Sequence, residues 1–194
     1  MRVLEIDHVI RFVPGPDAAD LTGFTIGPGR VHTGQGTRNV RVVFDRNYLE
    51  IAWVEHPDEV VARGLDFVGR CARPYTAYPF GCVLRGTIPA PDRARFVPYE
   101  LPDAPGVMLQ LLAAQSADAP FLAVFEVADR EERWPAHRAS PAYLTHPNGA
   151  TRIVRATFTC LGPPPFDDLD DLRFVSGEPR LDLDLGGIEC SYLP

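Results

Sequence analysis

The chain is 194 residues long, 45% apolar, and carries a net charge of −7. That length supports one sizeable domain or two small modules on a shared core, and the apolar fraction argues against a globally disordered chain. The acidic balance supplies no field to attract nucleic acid or an anionic membrane, so neither is expected as a partner.

All of the positive charge is arginine, with no lysine anywhere. The four cysteines, Cys71, Cys82, Cys160 and Cys190, form no C-x-x-C pair. They read as small core residues in a reducing compartment. The first residues run straight into a strand-like pattern without a basic flank and long apolar core, and no apolar run reaches the length of a membrane span. A cytoplasmic location is the expectation.

In chain order, residues 4–13 alternate and are rich in β-branched side chains, which predicts a strand with Leu4, Ile6, His8, Ile10 and Phe12 on one face. Pro14-Gly15-Pro16 stops it, and residues 17–21 suit a short helix ended by Gly23. Further strands are predicted over 24–34, 38–45 and 48–54, with a tight turn at Asp45-Arg46-Asn47. The order is β-α-β-β-β. On the fourth strand Leu49, Ile51 and Trp53 form one face, expected to pack under a helix, while Tyr48, Glu50, Ala52 and Val54 form the other.

A helix is predicted from Pro57, with Val60, Val61, Leu65 and Val68 in helical period. Short strands follow over 82–87, 107–112 and 121–127, separated by proline-rich loops, and the charged stretch from Asp129 to Pro141, with Trp134 and His137, reads as a surface loop. A last block has a strand over 151–160, a short acidic helix over 167–172, and three short strands over 173–176, 180–185 and 188–193. It again reads β-α-β-β-β, without sequence identity between the blocks. The boundaries expected are a first module over 1–56, a middle block over 57–140 and a later module over 141–194, all within one compact domain.

Two side chains carry most of the chemical signal. His8 on an apolar face is either a hydrogen-bonded core residue or a group lining a cavity. Glu50 on an inward strand face must be solvated in a cavity, paired, bound to a cation, or at a wet edge, because burying a lone carboxylate costs several kcal/mol. Gly29 to Asn39, with His32, Arg38 and Asn39, is either a ligand-contact loop or a glycine-rich hairpin held by Asn39. His146-Pro147-Asn148-Gly149 is a turn, or places His146 inward. No G-x-S-x-G elbow, phosphate loop or calcium loop occurs.

Three strings, Ile6-Asp7-His8-Val9, Gly29 to Asn39, and Tyr48-Leu49-Glu50-Ile51, resemble the opening module of glyoxalase-like domain proteins of the vicinal-oxygen-chelate (glyoxalase/bleomycin resistance/dioxygenase) superfamily. His146 to Ala150 resembles the start of a later module of that group. The resemblance implies an α+β fold in which paired βαβββ modules form curved mixed sheets around a cup. It also implies a divalent metal in that cup, held from the first and last strands of each module, with His8 and Glu50 as the ligands named here. The later module departs from the pattern: Arg155 falls where a histidine would stand, and arginine cannot ligate a metal.

The resemblance implies an enzyme acting on a small, anionic oxygenated compound by proton transfer, of lyase or isomerase type. Glu50 would be base or ligand and His8 ligand or hydrogen-bond partner, with His32, Arg38, Asn39, His146 and Arg155 contacting the substrate. The alternative is a non-catalytic binding or drug-sequestering protein of the same fold. Modules of this kind often pair, which makes a homodimer an expectation.

Overall fold

The computed structural model describes residues 4–18, 20–127 and 141–194. The charged stretch from Asp129 to Ser140, with Trp134 and His137, lies outside them. Two modules share one eight-stranded sheet. The first runs β1 (Leu4–Phe12), a 3-10 turn (Pro16–Ala18), β2 (Gly27–His32), β3 (Thr37–Val43) and β4 (Tyr48–Val54). The second runs β5 (Phe80–Gly86), a 3-10 helix (Ala90–Arg95), β6 (Phe96–Glu100), β7 (Met108–Leu112) and β8 (Phe121–Glu126). The sheet order is β2-β3-β4-β1-β5-β8-β7-β6. In each module the first strand lies parallel to the fourth, and β1 meets β5 antiparallel at the centre. The short helices α1 (Pro57–Ala62) and α2 (Phe67–Cys71) carry the chain from one module to the next.

The partner of the first module is therefore the middle block, not residues 141–194. The predicted pattern lost the second module because β6 contains Pro98. Proline cannot donate to a ladder and survives at an edge, which is where β6 sits, paired with β7 alone.

The last block makes a separate four-stranded sheet, in the order β10-β9-β11-β12, from β9 (Arg155–Cys160), β10 (Leu172–Ser176), β11 (Arg180–Asp184) and β12 (Glu189–Tyr192). Its first strand lies between β10 and β11, so its wiring is not that of a module. The acidic helix predicted over 167–172 does not form. Its carboxylates serve backbone donors instead: Asp168 accepts from the Phe174 N–H at 3.0 Å, and Asp171 from the Ile6 N–H at 3.0 Å. Short polar side chains compete with helix in this way.

This second sheet takes the place of the helix expected beneath β4. Leu49, Ile51 and Trp53 share a core with Phe158, Leu172, Leu181 and Leu183. Asn47 clips the sheets at one corner: its Nδ2 donates to the Ile153 carbonyl and its Oδ1 accepts the Ile153 N–H, both at 2.8 Å. The opposite face of the large sheet, with Ile10, Phe12, Ala52, Val83, Phe121 and Phe125, turns toward α1 and α2 and encloses a hollow of about 150 Å³.

Candidate active site

The hollow owes its polar end to an irregularity in β1. Against β5 the register runs Ile6 to Leu84 and then His8 to Val83, leaving Asp7 as an extra residue. Such a bulge breaks strict alternation and re-aims side chains. Leu4, Ile6 and Val9 face the second sheet, whereas His8, Ile10 and Phe12 face the hollow, and Asp7 joins them there. The single face predicted for Leu4 to Phe12 is thus divided at the bulge. Its signal in the sequence is the pair Asp7-His8, two consecutive polar residues inside an apolar strand.

Three ionisable groups meet in a buried row. His8 Nδ1 is 2.8 Å from Asp7 Oδ1, and His8 Nε2 is 3.1 Å from Glu50 Oε2. The imidazole stacks on Tyr48, with centroids 4.3 Å apart and planes 15° apart. With a carboxylate on each ring nitrogen, the doubly protonated imidazolium is the form that satisfies both contacts. Burial pushes His8 toward neutrality, but the hydrogen bonds and charges of Asp7 and Glu50 outweigh it and raise its pKa from 6.5 to about 9. Burial likewise favours a neutral Glu50, yet the hydrogen bond and charge of His8 lower its pKa from 4.5 to about 2.

A second string of side chains holds Glu50 from the β3 side. Asn39 Oδ1 accepts the Arg30 N–H at 2.8 Å, which fixes the amide so that its Nδ2 donates to Glu50 Oε1 at 2.6 Å. The other Asn39 N–H faces His32 Nε2 at 3.4 Å. His32 Nε2 is then an acceptor, and its Nδ1 carries the proton toward Thr37 Oγ1, 2.9 Å away. His32 is neutral in this arrangement, in line with a pKa lowered chiefly by burial. Gln35 Nε2 donates to the same Thr37 oxygen at 3.0 Å, and Tyr99 on β6 donates to Gln35 Oε1 at 3.2 Å. Gly29 makes this possible, because a Cβ there would lie 1.8 Å from the Asn39 carbonyl oxygen and force β2 and β3 apart.

Other residues singled out from the sequence fall elsewhere. Arg38 lies on the far side of β3, exposed, with Nη1 3.4 Å from Glu55 Oε1. Arg155 is exposed at the start of β9, outside the hollow, because the block it belongs to is not a module of the cup. His146 is buried but structural. Its Nδ1 accepts the Thr25 N–H at 3.1 Å, so its Nε2 carries the proton to the Val43 carbonyl at 3.0 Å. The arginines that do line the hollow are Arg30, paired with Asp103 at 2.7 Å, and Arg41. Arg41 donates from Nε and Nη2 to the Pro28 carbonyl at 3.1 and 3.0 Å, and its guanidinium lies over Tyr48. Asp7, Arg30, Gln35, Arg41, Tyr48, Tyr99 and Asp103 are thus additions to the predicted set.

A metal held in the manner of the resemblance needs donors from β1, β4, β5 and β8. The first two strands offer Asp7, His8 and Glu50, but β5 and β8 present Val83, Phe121 and Phe125. Asp7 is engaged with His8 Nδ1, which leaves only His8 Nε2 and Glu50 as donors facing the hollow, fewer than a stable divalent site needs. Among the described residues no group of three or more ligating side chains is placed to hold an ion. The donor set does not fit a metal.

A family model for a glyoxalase-like domain matches residues 6–165. The fold is similar to that of a hypothetical protein from Staphylococcus aureus, known from a crystal structure. The two chains are 16% identical with a TM-score of 0.54, over 97% of this chain and 85% of the other. No curated protein matches.

Proposed function

Because the chain belongs to the glyoxalase-like domain family, we propose that its cup takes one small molecule with a carbonyl-bearing polar head and an apolar body, and that Glu50 and His8 move a proton on that head. The observation that carries this reading is the buried Asp7–His8–Glu50 row, which opens into a hollow with polar side chains of β2 and β3 on one side and a hydrocarbon wall that includes Val83, Leu109, Phe121 and Phe125 on the other.

A ligand head that enters between His8 Nε2 and Glu50 Oε2 separates the two groups. Glu50 then loses the interactions that hold its pKa down, and burial raises its proton affinity toward that of a working base. It takes a proton from the carbon beside the carbonyl. The C–H electron pair moves into a C–C double bond, and the charge that develops on the carbonyl oxygen is met by the His8 N–H. Asp7 holds the imidazole in orientation and stabilises its positive form. Where the deprotonated carbon carries a hydroxyl, return of the proton to the former carbonyl carbon, with the hydroxyl proton passing to the oxygen held by His8, completes an isomerisation. Where the carbon on its other side carries a leaving group, collapse of the enolate expels that group with its electron pair and completes an elimination. Arg41, at the rim beside Tyr48, meets an anionic substituent.

A second reading, a binding protein without chemistry, draws on the His8–Glu50 contact itself, which occupies the base in the empty cup. One experiment separates the two. The full chain is screened by thermal shift against 2-oxo and 2-hydroxy acids with branched aliphatic or aromatic bodies. Each ligand found is then incubated with the protein in D2O and its carbon-bound hydrogens are followed by NMR. Exchange that is lost in Glu50→Gln supports proton transfer. Binding with no exchange supports the binding protein, and a screen without any shift counts against both.

A further inference from the structure

The corner that presents Asp7 and His8 is held from outside the cup. β4 begins at Tyr48, opposite His8, so the part of β1 before His8 has no β4 partner in the register. On that stretch the buried Ile6 N–H donates to Asp171 Oδ2 at 3.0 Å. Asp171 is 9% exposed and is itself fixed to the second sheet, where its carbonyl accepts the Ala156 N–H at 2.9 Å and the next residue begins β10. The bulge follows Ile6 immediately.

A bulge in a strand can migrate by one residue at the cost of its local hydrogen bonds, and a one-residue slip sends a side chain to the other face. We propose that Asp171 is a positioning residue: by holding the Ile6 N–H it pins the bulge at Asp7 and so keeps Asp7 on His8 Nδ1 inside the cup. The second sheet then does more than cover the back of the modules, since one of its carboxylates sets the geometry of the row on the opposite face. The inference rests on the reading of Asp7, His8 and Glu50 as the working centre, but its test uses no ligand and can fail independently of that reading.

The test is proton NMR of the full chain. A histidine N–H held on a carboxylate resonates far downfield, and of the two such resonances that disappear in His8→Asn, the one that also disappears in Asp7→Ala belongs to Nδ1. Asp171→Ala is expected to lose that resonance. Asp171→Asn, whose side-chain oxygen still accepts from Ile6, is expected to keep it. Asn47→Ala cuts a different clip between the sheets, so it is expected to lower the melting temperature while keeping the resonance. If Asp171→Ala does not fold, Asp171→Ser, with a hydroxyl too short to reach Ile6, takes its place. A resonance that persists in the shortened variant, or that is lost equally in Asn47→Ala, overturns the proposal.

Discussion

The two modules of the large sheet share their wiring and differ in their chemistry. Both place the first strand parallel to the fourth, and the two halves meet along β1 and β5. Yet the first module supplies Asp7, His8, Asn39, Arg41 and Glu50 to the hollow beside Ile10, Phe12 and Ala52, and the second supplies chiefly Val83, Leu109, Leu111, Phe121 and Phe125, with Tyr99 and Asp103 as polar exceptions. Topology fixes which strands face the cup, and the residues at those positions decide what the cup does. The division has a physical benefit. A hydrocarbon wall lowers the local dielectric, which strengthens the hydrogen bonds and ion pairs opposite it and penalises any polar group left unpaired.

The strongest way to break this division is to put charge on the apolar wall. Phe121 is 4% exposed and packs against Phe12 and Phe67. Phe121→Asp removes that packing and buries a carboxylate without a cation, and should cost about 4 kcal/mol or more, read as a fall in the urea midpoint. A loss under about 1 kcal/mol would mean that the wall is wet.

Next in size is the polar row. His8→Gln leaves Asp7 and Glu50 buried without their shared cation, and about 3 kcal/mol of stability should be lost. The pH dependence of this loss follows from the two shifts. His8 is raised, so its contribution is complete below its usual 6.5 and disappears as pH rises through about 9. Glu50 is lowered, so its contribution is complete above its usual 4.5 and disappears as pH falls through about 2. The gap between wild type and His8→Gln should be widest and flat from about pH 4.5 to 6.5, and narrow on both sides. A gap that widens toward pH 9 would contradict a charged His8. Smaller again, Asn39→Ala removes one donor from Glu50 Oε1 and one acceptor from the Arg30 N–H, for about 2 kcal/mol in the same urea measurement. A midpoint equal to that of wild type would show that Glu50 does not depend on Asn39.

Much of the frame is legible in the residues, because it follows from local pattern. The alternation around Glu50 separates Leu49, Ile51 and Trp53 from Tyr48, Glu50 and Ala52, and the structure has those two faces. The strands β2, β3 and β4 fall within a few residues of their predicted ranges. What escaped the pattern is non-local. The proline in β6 is intelligible only once the strand is known to be an edge. Asp7 reads as an outward residue until the bulge turns it inward. Asp171 reads as part of a solvated helix face, because nothing in the acidic run says that a backbone N–H 165 residues earlier in the chain needs an acceptor.

The same distinction between local pattern and tertiary placement separates two arginines, Arg155 and Arg41. By position in an imagined third repeat, Arg155 would stand at the place of His8. In the structure it is exposed, on a sheet of different wiring, outside the hollow. Arg155→Ala should therefore change stability by no more than about 0.5 kcal/mol and leave the affinity for any anionic cup ligand as it was. Arg41→Ala, by contrast, removes a guanidinium that lines the hollow beside Tyr48, and should weaken such a ligand by roughly tenfold, the equivalent of one charge-assisted hydrogen bond. Affinities measured by calorimetry on both variants decide the matter. Equal weakening would place an arginine of the second sheet in the binding site and would undo the contrast between the two halves of the cup. Weakening in Arg41→Ala alone would assign recognition of an anion to the module that already carries the proton chemistry.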